Sequence, residues 1–245
     1  MTHLQIEKID SISIVKVNRP EALNALNEAV LLELRDFLTQ DDSRVLILTG
    51  AGDKAFVAGA DIKAMEKMDQ SEIEDFCELG HSVMNLLDHG KQATIAAVNG
   101  YALGGGLELA LACDFAFASR NAKLGLPEVT LGIIPGFGGT QRLSRAVGTR
   151  KAKEMILTGK PVKAEEAEKI GLVNRVCDPE KLLEECLDVA KLIAGQSPAA
   201  IAQAKRVINE GADAELREAL ELEKQSFVEC FATPERKAAM QAFLS

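Results

Sequence analysis

Apolar and polar positions from Gln5 to Val17 follow an approximate period of two, marked by Ile12, Ile14 and then Val17. With Asp10-Ser11 as a turn, this predicts a β-hairpin. The period then changes. Val30, Leu31, Leu34 and Leu38 fall on one face of a helix over Glu28 to Leu38, with Asn27 as its N-cap. Arg44 to Thr49 is short and continuously apolar, which predicts a buried strand ended by Gly50-Ala51-Gly52-Asp53. The same order recurs: an amphipathic helix over about Glu72 to Leu87, then a buried strand over Thr94 to Val98. A glycine-rich turn leads to a short buried helix over Leu107 to Cys113 and a strand over Asp114 to Ala118. Alternating strands and helices imply parallel sheets in an α/β fold.

Beyond Gly138 the pattern becomes helix after helix, over about Thr140 to Val147, Lys151 to Leu157, Ala164 to Ile170 and Lys181 to Ala194. Pro198 to Glu210, Ala214 to Phe231 and Pro234 to Phe243 complete the series. Pro198 and Pro234 suit first-turn positions, and Gly195 and Gly211 suit helix ends. Gly195-Gln196-Ser197-Pro198 therefore marks a boundary between a core of residues 1–195 and a helical region of residues 196–245. Those last helices are marginal alone and are expected to pack on the core or on another subunit.

Length and charge narrow the chemistry. A chain of 245 residues, 47% of them hydrophobic and 27% charged, has the composition of a folded globular protein with a sizeable core. A net charge of -9 argues against wholesale binding of nucleic acid or an anionic membrane, because either calls for a basic face. Cys77, Cys113, Cys177, Cys186 and Cys230 show neither CxxC nor Cys/His ligand spacing, so they read as reduced thiols and not as a metal site. The N-terminus enters strand-like alternation without a signal-like apolar stretch, and a cytoplasmic location is the default expectation.

The stretch Val98 to Leu143 carries the candidate chemistry. Gly104-Gly105-Gly106 sits between a predicted strand and a predicted helix, so its amides are unpaired donors at a helix N-terminus. A glycine triplet also serves a plain tight turn. GxGxxG and GxxxxGK[ST] are both absent, which speaks against a phosphate cradle. The loop Phe56 to Lys63, with small residues at Ala58, Gly59 and Ala60, can present its amides to the same cleft. Glu108 lies among Leu107, Leu109, Ala110 and Leu111, where a carboxyl is costly to bury without a purpose, though a helix N-terminus also favours an acid. Glu128 follows Pro127. If both acids face one cleft, desolvation and like charge raise at least one pKa, as acid/base work requires. His3, His81 and His89 form no triad with a serine, since GxSxG is absent.

Four collinear segments resemble the crotonase family, most of all its short-chain enoyl-CoA hydratases: Asn18 to Leu26, Ala58 to Lys63, Ala97 to Glu108, and Pro127-Glu128 through Pro135 to Leu143. The resemblance implies a spiral of ββα repeats followed by a C-terminal helical trimerisation region, with trimers usually paired into a hexamer. It implies an oxyanion hole from the backbone N–H of Ala60 and Gly105, and a reacting water held by Glu108 and Glu128 and positioned by the Gly136 amide. Ala22, Leu23, Ala25, Ala58, Asp61, Ile62 and Lys63 are implied to line the substrate site. No cofactor or metal is implied, because coenzyme A is part of the substrate.

The reaction so implied is the reversible hydration of 2-trans-enoyl-CoA to 3-hydroxyacyl-CoA, in fatty-acid oxidation or in butyrate and hydroxybutyryl-CoA metabolism. Family members that isomerise or hydrolyse often keep only one of the two acids; this chain keeps both. An enoyl-CoA isomerase of the same fold is the alternative, and a non-catalytic acyl-CoA or RNA-binding scaffold a more distant one. For the phosphates of coenzyme A, Lys63 is the leading cation, followed by Arg19 and Lys67.

Overall fold

The computed structural model describes residues 2–244. The hairpin pairs β1 (Leu4–Ile9) with β2 (Ile12–Val17), and Asp10 takes the left-handed conformation at its turn. Helix α1 (Glu28–Gln40) follows, its N-terminus capped by the Asn27 side chain, which accepts from the Val30 N–H.

Three units then each lay down two strands and a helical segment. The first is β3 (Val45–Gly50), β4 (Ala55–Val57), the one-turn α2 (Ile62–Met65) and the long α3 (Gln70–His89). The second is β5 (Ala93–Val98), β6 (Tyr101–Leu103) and α4 (Gly105–Leu111). The third is β7 (Phe115–Ser119), β8 (Lys123–Gly125), a 3-10 turn over Glu128–Leu131 and α5 (Gly139–Val147). Then come α6 (Thr149–Thr158), β9 (Val162–Lys163), α7 (Ala164–Lys169), β10 (Arg175–Cys177), α8 (Leu182–Ala194), α9 (Pro198–Ala212), α10 (Leu216–Phe231) and α11 (Pro234–Leu244).

The first strand of each unit joins a six-stranded sheet in the order β1-β2-β3-β5-β7-β10, parallel from β2 onward. The second joins a four-stranded sheet in the order β4-β6-β8-β9. The chain thus spirals between two sheets, once per ββα unit. Both faces of the larger sheet are covered, which is why β3 reads as an unbroken apolar run. Leu46 and Leu48 point into a core with α1 and α3, whereas Val45 and Ile47 pack against Leu182, Cys186 and Ala190 of α8.

The smaller sheet corrects the reading of the sequence. Residues 56–63 and 99–106 read there as loops, yet three-residue strands run into them, β4 ending at Val57 and β6 spanning Tyr101–Leu103. Strands this short carry no periodicity to detect, and partners across the spiral supply their hydrogen bonds. Gly211, expected at a helix end, lies inside the last turn of α9.

A lysine buried under α9 fastens the terminal helices to the core. The buried ammonium of Lys205 on α9 donates to the Leu87 carbonyl at 2.6 Å, the Gln92 carbonyl at 2.9 Å and the Asp114 carboxylate at 3.1 Å. Farther out, α10 and α11 leave large apolar side chains in the open, among them Phe227 at 65% and Phe243 at 91% exposure. No helix among the described residues is long and apolar enough to cross a membrane.

Candidate active site

Because β4 and β6 pair in parallel, the segments leaving their C-terminal ends run side by side. Glycines set how close they come. A Cβ on Gly106 would lie 1.8 Å from the Val57 carbonyl oxygen, and one on Gly104 would lie 3.7 Å from Gly59 Cα. Gly104 has φ 51° and ψ -127°, a conformation in which a side chain is strained.

Neighbouring amides in both segments are consumed: Ala58 N–H donates to the Leu23 carbonyl, Asp61 N–H to that of Leu26, and Gly104 N–H to that of Gly125. The N–H groups of Ala60 and Gly105 have no acceptor among the described residues. Gly105 opens α4, so its amide belongs to the first helical turn, where no intrahelical partner exists.

Both segments border a cavity of about 950 Å³. Ile62, Met65, Ile73, Phe76, Leu131 and Ile133 give it apolar walls, and the two carboxyls of Glu108 and Glu128 stand among them. Such a space suits an apolar ligand with a few polar groups fixing its reactive end.

Glu108 projects from α4 and is 2% exposed. Its Oε1 accepts from the Phe137 N–H and the Gly139 N–H, each at 2.7 Å. Gly139 is the first residue of α5, so a second helix N-terminus faces this carboxyl. The turn carrying those amides is seated by Phe137, whose ring meets Phe76 edge-on at 5.3 Å and occupies the space that a side chain at Gly80 would need. Burial pushes the Glu108 pKa up to about 7; the two amides oppose the rise and the charge of Glu128 adds to it.

Glu128 reaches the cavity from the 3-10 turn and is half-buried. Its Oε1 lies over Gly104, 2.9 Å from where a Cβ would be, and its Oε2 is buried with no hydrogen-bond partner among the described residues. Burial raises its pKa as well. Two carboxyls of raised pKa on one cavity are equipped to exchange protons with whatever lies between them.

Ala58, Ala60, Ile62, Gly105, Glu108, Glu128 and Gly136 all line this cavity. Ala22, Leu23 and Ala25 do not: they form a neighbouring ridge that begins in the 3-10 turn at Pro20–Ala22 and is linked to the 58–61 segment by the backbone bridge between Leu26 and Ala60. Asp61 caps the short helix α2 and pairs with Arg19 at 3.0 Å. Arg19 also donates to the Ala25 carbonyl at 2.7 Å, which binds ridge and loop together and removes Arg19 from the free cations expected for a phosphate. Lys63 is exposed and enters no ion pair among the described residues.

Two asparagines that hold the site were missed as such. Asn24, fully buried at φ 59°, donates to the Ala51 and Ala55 carbonyls, and Asn99 donates to those of Gly50 and Gly52. Asn24 sits where asparagine is enriched, in the left-handed region, but a sequence does not show a backbone angle. All five cysteines are free thiols.

The family described as enoyl-CoA hydratase/isomerase matches residues 7–245. The short-chain-enoyl-CoA hydratase of Clostridium acetobutylicum is 47% identical, over 100% of this chain and 95% of its own. The crotonyl-CoA hydratase of Syntrophomonas wolfei is also 47% identical, over 98% of this chain and 94% of its own. Among solved structures, an enoyl-CoA hydratase from Bacillus anthracis superposes with a TM-score of 0.96 at 41% identity, covering 98% of this chain and 95% of that one.

Proposed function

Since the chain belongs to the enoyl-CoA hydratase/isomerase family, we propose that it adds water reversibly across the double bond of 2-trans-enoyl-CoA thioesters to give 3-hydroxyacyl-CoA. The observation that carries this reading is the convergence of two carboxyls and two unpaired main-chain donors on one apolar cavity. Curated relatives of this sequence named for the same reaction support it.

In the hydration direction Glu108 takes a proton from water as its oxygen attacks Cβ. The electrons of the double bond move toward Cα and the thioester carbonyl, whose oxygen gains charge. The Ala60 and Gly105 N–H groups meet that charge, and one such donor contributes about 2.7–4 kcal/mol. Glu128 delivers a proton to Cα. In dehydration the two acids exchange roles. The Gly136 amide, on the cavity wall and without an acceptor among the described residues, is available to orient the water. Fatty-acid oxidation and a butyrate or hydroxybutyryl-CoA route both use this step.

The test is loss of the conjugated-thioester absorbance of crotonyl-CoA and longer enoyl-CoA substrates, with identification of the product. 3-Hydroxyacyl-CoA is expected. A shifted double bond as sole product would make the protein an isomerase, and no turnover of any enoyl-CoA would leave a binding scaffold. Retention of both acids favours hydration, because moving a proton along a chain needs only one.

Lys63, next to Ile62 of the cavity wall, supplies a cation for the phosphates of coenzyme A in a chain of net charge -9. Lys63→Ala is expected to raise KM for crotonyl-CoA about threefold to tenfold, equivalent to roughly 0.7–1.4 kcal/mol, with a smaller change in kcat. Initial rates at low and high ionic strength check this, and an unmoved KM removes Lys63 from the site.

The protein acts as a homo-oligomer in this proposal, a trimer or a pair of trimers. The apolar side chains open to solvent on α10 and α11 are its support, since a lone subunit rarely leaves so many together. Light scattering should give three or six times 26.3 kDa; a monomeric mass would refute it.

A further inference from the structure

The turn that holds Glu108 is gripped from two sides. On the cavity side the carboxylate takes the N–H groups of Phe137 and Gly139. From behind, Arg142 in the first turn of α5 donates its Nη1 to the Phe137 carbonyl at 3.3 Å. The guanidinium also fills the place of a side chain at Gly138, where a Cβ would lie 2.4 Å from Nη1. Gly138, at φ 101°, is therefore bare for two reasons, its backbone angle and the arginine.

Arg142 is itself fixed. Its Nε and Nη2 donate to Asp88 Oδ2 on α3 at 3.3 and 3.1 Å, and Nη2 also donates to Asn85 Oδ1. Asp88 is held in turn from α9, where Asn209 Nδ2 donates to its carbonyl at 2.7 Å and to Oδ1 at 3.1 Å. A continuous run of polar contacts thus leads from α9 through α3 and α5 to the carboxyl in the cavity.

We propose that Arg142 is a positioning residue for hydration: it locks the 136–139 turn and thereby the orientation of the Glu108 carboxylate, with Asp88 and Asn209 locking Arg142. The inference rests on Glu108 being the base. An ordinary surface pair would leave the turn alone and contribute little. This guanidinium is half-buried and spends a donor on the backbone of the turn.

Its charge acts in the same sense. The groups facing Glu108 are Glu128 from the 3-10 turn, the Cys77 thiol from α3 and Arg142 from α5. Arg142 is the cation among them, and it favours the ionised carboxylate against burial and against Glu128. Around Arg142 itself, His81, His89, Asp114, Arg145, Lys205 and Asp213 line the same groove as Asp88.

The experiment compares Arg142→Gln, Arg142→Lys and Asn209→Ala with the unaltered protein on crotonyl-CoA across pH 5.5–9. Arg142→Gln is expected to lower kcat about tenfold to a hundredfold, the scale of a small misplacement of a reacting group, with KM changed less than about twofold. The rising limb of its rate profile should move to higher pH, because Glu108 without the cation holds its proton longer. Arg142→Lys keeps the charge and loses the fork, so the limb should return toward its original position while kcat recovers only in part. Asn209→Ala should give a smaller shift in the same direction, and it decides the matter if Arg142→Gln does not fold. An unmoved limb in the soluble variants, or a loss of kcat that lysine does not relieve, would assign Arg142 to the fold alone and overturn the proposal. Hydration absent from the unaltered protein would remove the hydratase reading first; normal hydration with an unaffected Arg142→Gln would remove this inference only.

Discussion

Glu108→Gln and Glu128→Gln are each expected to lower kcat for crotonyl-CoA hydration by about 10² to 10⁴, the range for loss of one general acid or base, with KM little changed. Glutamine at 108 keeps an oxygen for the Phe137 and Gly139 amides, so the turn stays in place while the proton acceptor is lost. Steady-state rates check this, and near-normal kcat in both variants would sink the two-acid mechanism. The same substitution has an opposite effect on stability. A carboxyl whose pKa lies at about 7 in the folded protein, against 4.5 as its ordinary value, binds its proton more tightly folded than unfolded. The stability it contributes is present below pH 4.5 and is lost as pH rises through about 7, a loss of roughly 3 kcal/mol. Glu108→Gln should therefore be more stable to urea than the original at pH 8 by up to about that amount, and the advantage should vanish near pH 4. A catalytic carboxyl that costs stability where it works is the expected signature of a site built for chemistry.

Gly106→Ala should disable the protein without touching a single side chain of the cavity. The added Cβ would lie 1.8 Å from the Val57 carbonyl oxygen, and that oxygen belongs to a strand and cannot swing aside. Either α4 or β4 must shift, at a cost of about 1–3 kcal/mol for an overpacked contact. The Gly105 amide opens α4 and the Ala60 amide lies in the segment leaving β4, so a shift also misaligns the donors, and losing one costs about 10² to 10³ in kcat. Melting temperature and kcat measured together check both halves. A Gly106→Ala protein of unaltered stability and rate would mean that the two segments do not meet as described. Gly132, with nothing within 4 Å of its would-be Cβ, is the contrasting position, where only backbone conformation resists substitution.

How much of this was legible beforehand depended on the range of the interaction. The hairpin, the buried strand β3 and helix α1 announce themselves by period and by the Asn27 cap, all local properties. The glycine triplet and the misplaced Glu108 marked the cavity, because a carboxyl inside an apolar run stands out against its neighbours. Strands β4, β6 and β8 were not legible, since three residues hold no pattern and their partners lie a full turn of the spiral away. The partners of Glu108 were equally hidden: its two amides are 29 and 31 residues downstream, and backbone donors leave no trace in residue identity. Charge alone makes Arg19 a candidate for a phosphate, second to Lys63, whereas its geometry commits it to Asp61 and the Ala25 carbonyl. Residue type indicated the kind of bond in that case and not the recipient.

The Lys205 ammonium reaches back to two carbonyls and a carboxylate made more than ninety residues earlier in the chain, the nearest in sequence being Asp114. During synthesis, then, the Leu87 and Gln92 carbonyls, where α3 ends and β5 begins, lack this partner until the ribosome has released α9. The earlier spiral therefore stays provisional until α9 arrives to fasten it.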